Sequence, residues 1–315
     1  MQAGSIGCEA LRLSRHNAAG RVVGVFARAA HLEAGGEVVT VGDSSISRHP
    51  YTISLAGCLP SLELGERFRF EEAGLMFERR GWFNLRGLEE FSPQAGVCRP
   101  ALSICQLHCL AETRRALGGC YRQGGLGELL FCAHDQSPFA MAAEAQVATL
   151  KNALEREAWG ALIGPIGGLA GLGVGLTPSG DDFLCGFFAS LVFRRESGLW
   201  GPSKEDIDRW AQLAAAGTST FSGQMIRCAA RGLVTEEVAA WLTAVHLGRP
   251  EGIFDLTRKI ASFGHTSGTD QLCGLVTTLE SLLRSKVVNK RDSFQFYTPP
   301  VIGETCHSKR DRRTN

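Results

Sequence analysis

Two stretches 88 residues apart, SGDDFLCGF (Ser179–Phe187) and SGTDQLCGL (Ser267–Leu275), share Ser, Gly, Asp, Leu, Cys and Gly at six of nine aligned positions. Each lies where an irregular Gly/Ser/Thr segment meets an apolar run. Each therefore reads as a loop-to-helix corner, repeated at a spacing too long for a short solenoid. Ser179 and Ser267 are favoured N-cap residues, and Asp182 and Asp270 sit three positions on, where a carboxylate reaches back to the cap amide as in a capping box. A cap explains neither the glycines Gly171, Gly173 and Gly175, nor the second aspartate Asp181, nor the repeated Cys185-Gly186 and Cys273-Gly274. Glycine inside a helix costs about 1 kcal/mol relative to alanine, so two at equivalent positions point to another backbone close by. The expectation is that two helices cross near Gly186 and Gly274 and bring both corners to one cleft.

The rest of the chain divides by periodicity. From Arg21 to about Leu85, RVVGVFARA, EVVTVGD, YTISLAG, RFRFEEAG and LMFERRGWFNL are short β-branched and aromatic segments separated by Gly, Asp or Pro, which predicts strands. After Ser92-Pro93 apolar residues recur every three or four positions, first in AETRRALGG and AAEAQVATLKNALEREAW, which predicts helices. Further helices are expected at about 181–195, 204–216, 222–231, 235–247, 253–263 and 268–283. The reading is an α+β chain with a β-rich N-terminal domain, barrel or sandwich-like, over 1–96. A mainly helical domain with both corners follows over 97–285, and then a basic, solvated tail over 286–315.

Charge and cysteine content narrow the function classes. The chain carries 33 Lys and Arg against 32 Asp and Glu. Seven of the basic residues lie in the last thirty, leaving the remainder slightly acidic, which argues against a nucleic-acid or membrane-surface role. There is no apolar run of about 18 residues to span a bilayer, and arginines interrupt the N-terminal MQAGSIGCEALRLSRHNAAG, unlike a secretory leader. Eleven scattered cysteines read as reduced thiols of a cytoplasmic protein. Cys98, Cys105, Cys109 and Cys120 with His108 lack the C-x-x-C spacing of a zinc or redox site, so no metal site is expected from them. Dinucleotide, phosphate-loop, nucleophile-elbow and zinc-helix signatures are missing as well.

At the first corner, glycine-rich backbone ahead of a helix offers N–H groups and a positive dipole end to an anion, yet Asp181 and Asp182 would repel one. Three resolutions are open. Mg²⁺ could bridge carboxylates and phosphate, an aspartate could act as general base, or the aspartates could accept hydrogen bonds from an amide-bearing ligand with an anionic end, such as a carbamoyl or ureido compound. His265, in FGHTSGTD, lies near a helix N-terminus where its cationic form is disfavoured, so it is expected as a neutral donor to a carbonyl. The hydroxyl-rich GTSTFSGQ, Gly217–Gln224, is a weaker motif with Arg227 further along.

GLGVGLTPSGDDFLCG together with FGHTSGTDQLCG resembles the AllH-like family, formerly a domain of unknown function and associated with bacterial oxamate carbamoyltransferase; the similarity extends diffusely over about residues 20–285. The resemblance implies a transferase subunit of a multi-subunit complex late in anaerobic allantoin (purine) degradation, converting oxalurate and phosphate to oxamate and carbamoyl phosphate. It implies FdrA-like and AllG-like partner subunits, and no nucleic acid or membrane. Carried residue by residue, its motif selects Thr177, Ser179, Gly180, Asp181 and Asp182 in one corner and His265, Thr266, Ser267, Gly268 and Asp270 in the other. The roles that follow place phosphate on the amides around Gly173 and Gly175 and the carbamoyl NH₂ on the aspartates. Asp182, His265 and Asp270 are then the catalytic candidates, no cofactor is certain, and Mg²⁺ stays open. Two alternatives stand beside this. One is a non-catalytic scaffold or ligand-sensing subunit, and the other a ribokinase-like phosphotransferase, whose T-x-G-A-G-D-x-F-x-x-G helix start TPSGDDFLCG loosely resembles.

Overall fold

The computed structural model describes residues 4–57, 59, 61–71, 74–93, 100–101, 103–131, 136–199 and 201–289. Its N-terminal part is one nine-stranded sheet curled into a half-barrel. The strands are β1 (Ser5–Gly7), β2 (Ala19–Val25), β3 (Ala29–Ala34), β4 (Glu37–Asp43), β5 (Thr52–Leu55), β6 (Arg67–Glu71), β7 (Gly74–Phe77), β8 (Gly81–Asn84) and β9 (Glu89–Phe91), ordered β8-β7-β6-β2-β3-β4-β5-β1-β9. Most neighbours are antiparallel, but β4 runs parallel to β5 from Thr40↔Thr52 to Asp43↔Leu55. The loop joining that pair, residues 44–51, is therefore a crossover rather than a hairpin turn. Alternate residues of the strands, among them Val22, Leu32, Val39, Val41, Phe68 and Phe70, form the core. The helix α1 (Cys8–Arg15) adds Ala10 and Leu13 to it.

Beyond the sheet, the described residues form the α-helices α2 (Ser103–Gly118), α3 (Pro138–Glu155), α4 (Ile163–Leu169), α5 (Ser179–Glu196), α6 (Lys204–Ala216), α7 (Thr220–Ala229), α8 (Glu236–His246), α9 (Ile253–Ala261) and α10 (Ser267–Asn289). The sequence underestimates α10, which runs through 286–289; the remainder of the expected tail lies outside the described residues. Cys98, Cys132 and the segment 94–99, where the expected domain boundary falls, lie outside them too. Among the described residues no helix is long and apolar enough to cross a membrane.

Helix α5 is the axis of this half. Apolar and small residues surround it on every side, so nearly every position from Ser179 to Arg194 is buried, as expected of a helix enclosed by others. Its closest partner is α10, and the two meet at the repeated glycines. A Cβ on Gly186 would lie 2.1 Å from the Gln271 carbonyl oxygen, and one on Gly274 would lie 2.0 Å from that of Phe183. The backbones are thus in direct contact at the crossing that the sequence predicts. The duplication extends to the preceding helices. A Cβ on Gly180 would strike Leu169 O of α4 at 2.0 Å, and one on Gly268 would strike Ile260 O of α9 at 1.8 Å.

Helix α7 joins the two halves. Gln224 accepts from Val38 N (2.7 Å) and donates to Val38 O (2.8 Å), completing the edge of β4 just before β5 joins it. Phe221 stacks on His31 at 4.8 Å, and Arg231 pairs with Glu9 at 2.6 Å.

Gly274→Ala is expected to destabilise the chain by about 3 kcal/mol or more through overpacking, read as a lower melting temperature or loss of soluble protein. Gly167→Ala, in α4 with open space around it, is the control. It should leave the melting temperature unchanged or raise it slightly.

Candidate functional site

The two corners meet through crossed polar contacts. Ser179 is the first residue of α5 and not its N-cap; Pro178 occupies that place and no side chain caps the helix. The within-corner capping box predicted by the sequence is therefore replaced by exchange. The Ser179 hydroxyl serves Asp270, and the Ser267 hydroxyl serves Asp182. The reason is the glycine crossing, which brings each helix start within reach of the other's carboxylate. Thr177 joins the group, with its Oγ1 3.1 Å from Ser267 Oγ.

The three aspartates divide the work. Asp181 is fully buried and accepts from Gly171 N (2.7 Å), Ser222 Oγ (2.6 Å) and Thr218 Oγ1. Gly171 takes a φ of +73°, which suits glycine and presents its amide inward. Asp181 is thus the acceptor around which the glycine loop closes, and the hydroxyls of GTSTFS brace it. Both of its oxygens are engaged, which removes the conflict between glycine amides and paired carboxylates.

Asp270 is covered by the segment Gly125–Gly127. The amide of Gly127 donates to Oδ1 (3.1 Å), and a Cβ on Gly125 would lie 2.4 Å from the same oxygen. Burial raises its carboxyl above the ordinary range, while Ser179, Thr266 and the Gly127 amide pull the other way.

Asp182 holds the equivalent place in the first corner, but it faces a cavity of about 200 Å³. Burial pushes its carboxyl well above the usual carboxylate range, nearby Asp270 and Asp181 add to the rise, and the Ser267 and Thr177 hydroxyls oppose it. Its Oδ2, like that of Asp270, is buried with no hydrogen-bond partner, a costly state for an acceptor shut off from water.

The cavity also draws on Thr177, Ser267, Gly268, Gln271 and Cys185, with an apolar wall from Phe221, Met225 and Phe263. Burial holds the Cys185 thiol well above its ordinary pKa, so it remains protonated and is no ready nucleophile. His49, from the β4–β5 loop, completes the lining. Sequence reading passed over it because nothing around SSISRHP marks a histidine as facing a site 130 residues away. A second and more polar cavity of about 860 Å³ adjoins. It shares Phe263 and is lined by Ser44 to Arg48, Glu236, Glu237 and Lys259.

The structure gathers Thr177, Asp182, Ser267 and Gly268 at the cavity. Asp270, Ser179 and Thr266 lie behind it as one polar cluster. Asp181 and Gly180 are engaged in packing. Gly173, whose Cβ would meet Ser179 N at 2.6 Å, and Gly175, which meets nothing, shape the loop with φ of +127° and +97°. His265 is exposed and outside the cavity lining. Among the described residues no group of three His, Cys, Asp or Glu side chains is placed to hold a metal ion.

These corners carry the family signal. Residues 169–279 match the family model of oxamate carbamoyltransferase subunit AllH. The match runs from the end of α4 into α10 and takes in both corners and the α7 entry, about a third of the chain. No curated protein and no solved structure matches the chain.

The raised carboxyl gives a test of the burial of Asp182. A carboxyl with a native pKa above its unfolded value favours folding in full below the unfolded value, and that contribution is lost as pH rises through the native one. Asp182→Asn cannot ionise, so its melting temperature relative to wild type should climb as pH rises from about 4, the ordinary carboxylate range. Thermal melts at rising pH check this, and a flat difference would contradict a buried charge.

Proposed function

We propose that the chain is a working subunit of an oxamate carbamoyltransferase-type complex, and that the Asp182 cavity holds the carbamoyl group as it passes between oxalurate and phosphate. Oxamate and carbamoyl phosphate are the products of that exchange. The observation that carries this reading is the inequality of the two corners. Asp270 is fully buried beneath Gly125–Gly127, with the Gly127 N–H against its carboxylate, whereas its counterpart Asp182 lines an open cavity; each keeps one buried oxygen without a partner. A ligand bearing NH₂ supplies at Asp182 what the chain supplies to Asp270.

The chemistry needs no protein nucleophile. A phosphate oxygen attacks the ureido carbon, the C–O bond forms, and the carbonyl electron pair moves onto its oxygen. As that pair returns, the bond to the oxamate nitrogen breaks, and the nitrogen takes the proton that phosphate gives up. The protein's part is to hold the reactants together and exclude water. The match to an AllH subunit supports the assignment to such a complex, with FdrA-like and AllG-like subunits as the proposed partners. Exposed His265 has no part in this cavity unless a partner subunit completes the site around it.

Calorimetry on the full chain with phosphate, carbamoyl phosphate, oxamate and oxalurate, each with and without Mg²⁺, tests the reading. Carbamoyl phosphate or oxalurate should bind, and Asp182→Asn should weaken binding about tenfold, because the amide puts an N–H donor where the ligand meets a carboxyl oxygen. Binding that is unchanged in Asp182→Asn, or no binding by folded wild type, would overturn it. A scaffold role predicts the latter, with turnover retained by the other subunits.

A further inference from the structure

His49 stands on the other wall of the Asp182 cavity, and its chemistry is fixed by its neighbour. Its Nδ1 accepts from Tyr51 N at 3.2 Å. In a neutral ring this leaves the proton on Nε2, making that nitrogen a donor. Burial lowers the His49 pKa to about 4, so the neutral ring is the form present near pH 7. Much of the remaining lining is apolar, from Phe221, Met225, Leu233, Val234 and Phe263, with Thr235 among them. Few groups there compete for a hydrogen bond, and the low local dielectric strengthens the ones that form.

Beside the hydroxyls of Thr177, Ser267 and Thr235 and the amide of Gln271, the small cavity thus offers a carboxyl acceptor, Asp182, and a donor with a fixed tautomer, His49. That is the complement of a primary carbamoyl group, which has N–H donors and a carbonyl acceptor on one carbon. We infer that His49 is a catalytic residue of this site, donating Nε2–H to the carbonyl oxygen of a carbamoyl group whose NH₂ is held by Asp182. The same hydrogen bond meets the negative charge that gathers on this oxygen when phosphate attacks. His49 keeps its proton throughout and serves as a donor, not as an acid. The inference rests on the reading of Asp182 as the amide acceptor, and it assigns to His49 the role that sequence reasoning gave to His265.

Carbamoyl phosphate and acetyl phosphate separate the two contacts, because acetyl phosphate keeps the carbonyl and has methyl in place of NH₂. Binding of both is measured by calorimetry on the full-length wild-type chain, Asp182→Asn, His49→Ala and His49→Gln. Wild type should prefer carbamoyl phosphate, and Asp182→Asn should lose that preference with acetyl phosphate little changed. His49→Ala should weaken both ligands about tenfold and leave their ratio intact, and His49→Gln, which retains a terminal N–H, should recover much of the loss. As a measurement independent of variants, the His49 Nε2 proton resonance of wild type should shift on adding either ligand. If His49→Ala binds both ligands like wild type, or the resonance does not move, while Asp182→Asn still acts, the His49 role is overturned and the Asp182 reading stands. If wild type binds neither ligand, or neither substitution alters binding, both are overturned.

Discussion

Everything at the site depends on one contact without side chains, the crossing of α5 and α10 at Gly186 and Gly274. A Cβ at either place would lie about as far from a carbonyl oxygen on the facing helix as a bond and a half allows, 2.1 Å and 2.0 Å. No rotamer change relieves such an overlap, since both partners are backbone. The close approach brings two helix starts together and lets their serines and aspartates exchange partners. A pair of capping boxes, each closed on itself, would need no such proximity. The exchange needs it, and the glycines supply it.

The corners are alike in their helices and unlike in what covers them. Between Leu172 and Gly180 the first loop spans three residues more than the second does between Phe263 and Gly268, while the tie from each glycine amide back to the loop start persists at 2.8 and 3.1 Å. The added length carries Gly173, Gly175 and Thr177. In the second corner the turn at Leu126–Leu130 lies across the carboxylate. The adjoining polar cavity meets the small one along Arg48-His49, Thr235-Glu236 and Phe263, so the surface facing Asp182 and the surface facing charged groups form neighbouring parts of one seam between sheet and helices.

Much of this was legible in the sequence, and the misses have physical causes. The echo between Ser179 and Leu275 foretold the crossing because glycine in a helix is costly unless a backbone needs the room. Helices α5 to α9 fall within two residues of expectation, where polar caps such as Ser203 and Thr235 mark their starts. The strand β3 was missed because AAHLEA is rich in alanine, a poor strand former, and is held by pairing to β2 and β4 along its length. The helix α4 was hidden by its three glycines and proline. Sequence alone could not say that Asp181 turns inward and Asp182 outward, since adjacent helical residues point about 100° apart and only the surrounding fold decides which meets Gly171. Nor could it find His49, whose relevance comes from a crossover loop tied to the start of α8.

The parallel β4–β5 connection has a consequence for motion. Asp182, Ser267 and the glycine crossing are set in packed helices that have little freedom to slide, because a small shift drives carbonyl into Cα. His49 rides instead on a loop at the sheet's rim, fastened to the helical half by few bonds, Glu236 N to Arg48 O among them. The cavity therefore pairs a wall of helices locked by backbone contact with a wall of connecting loop, and the two differ in what would have to break for either to move.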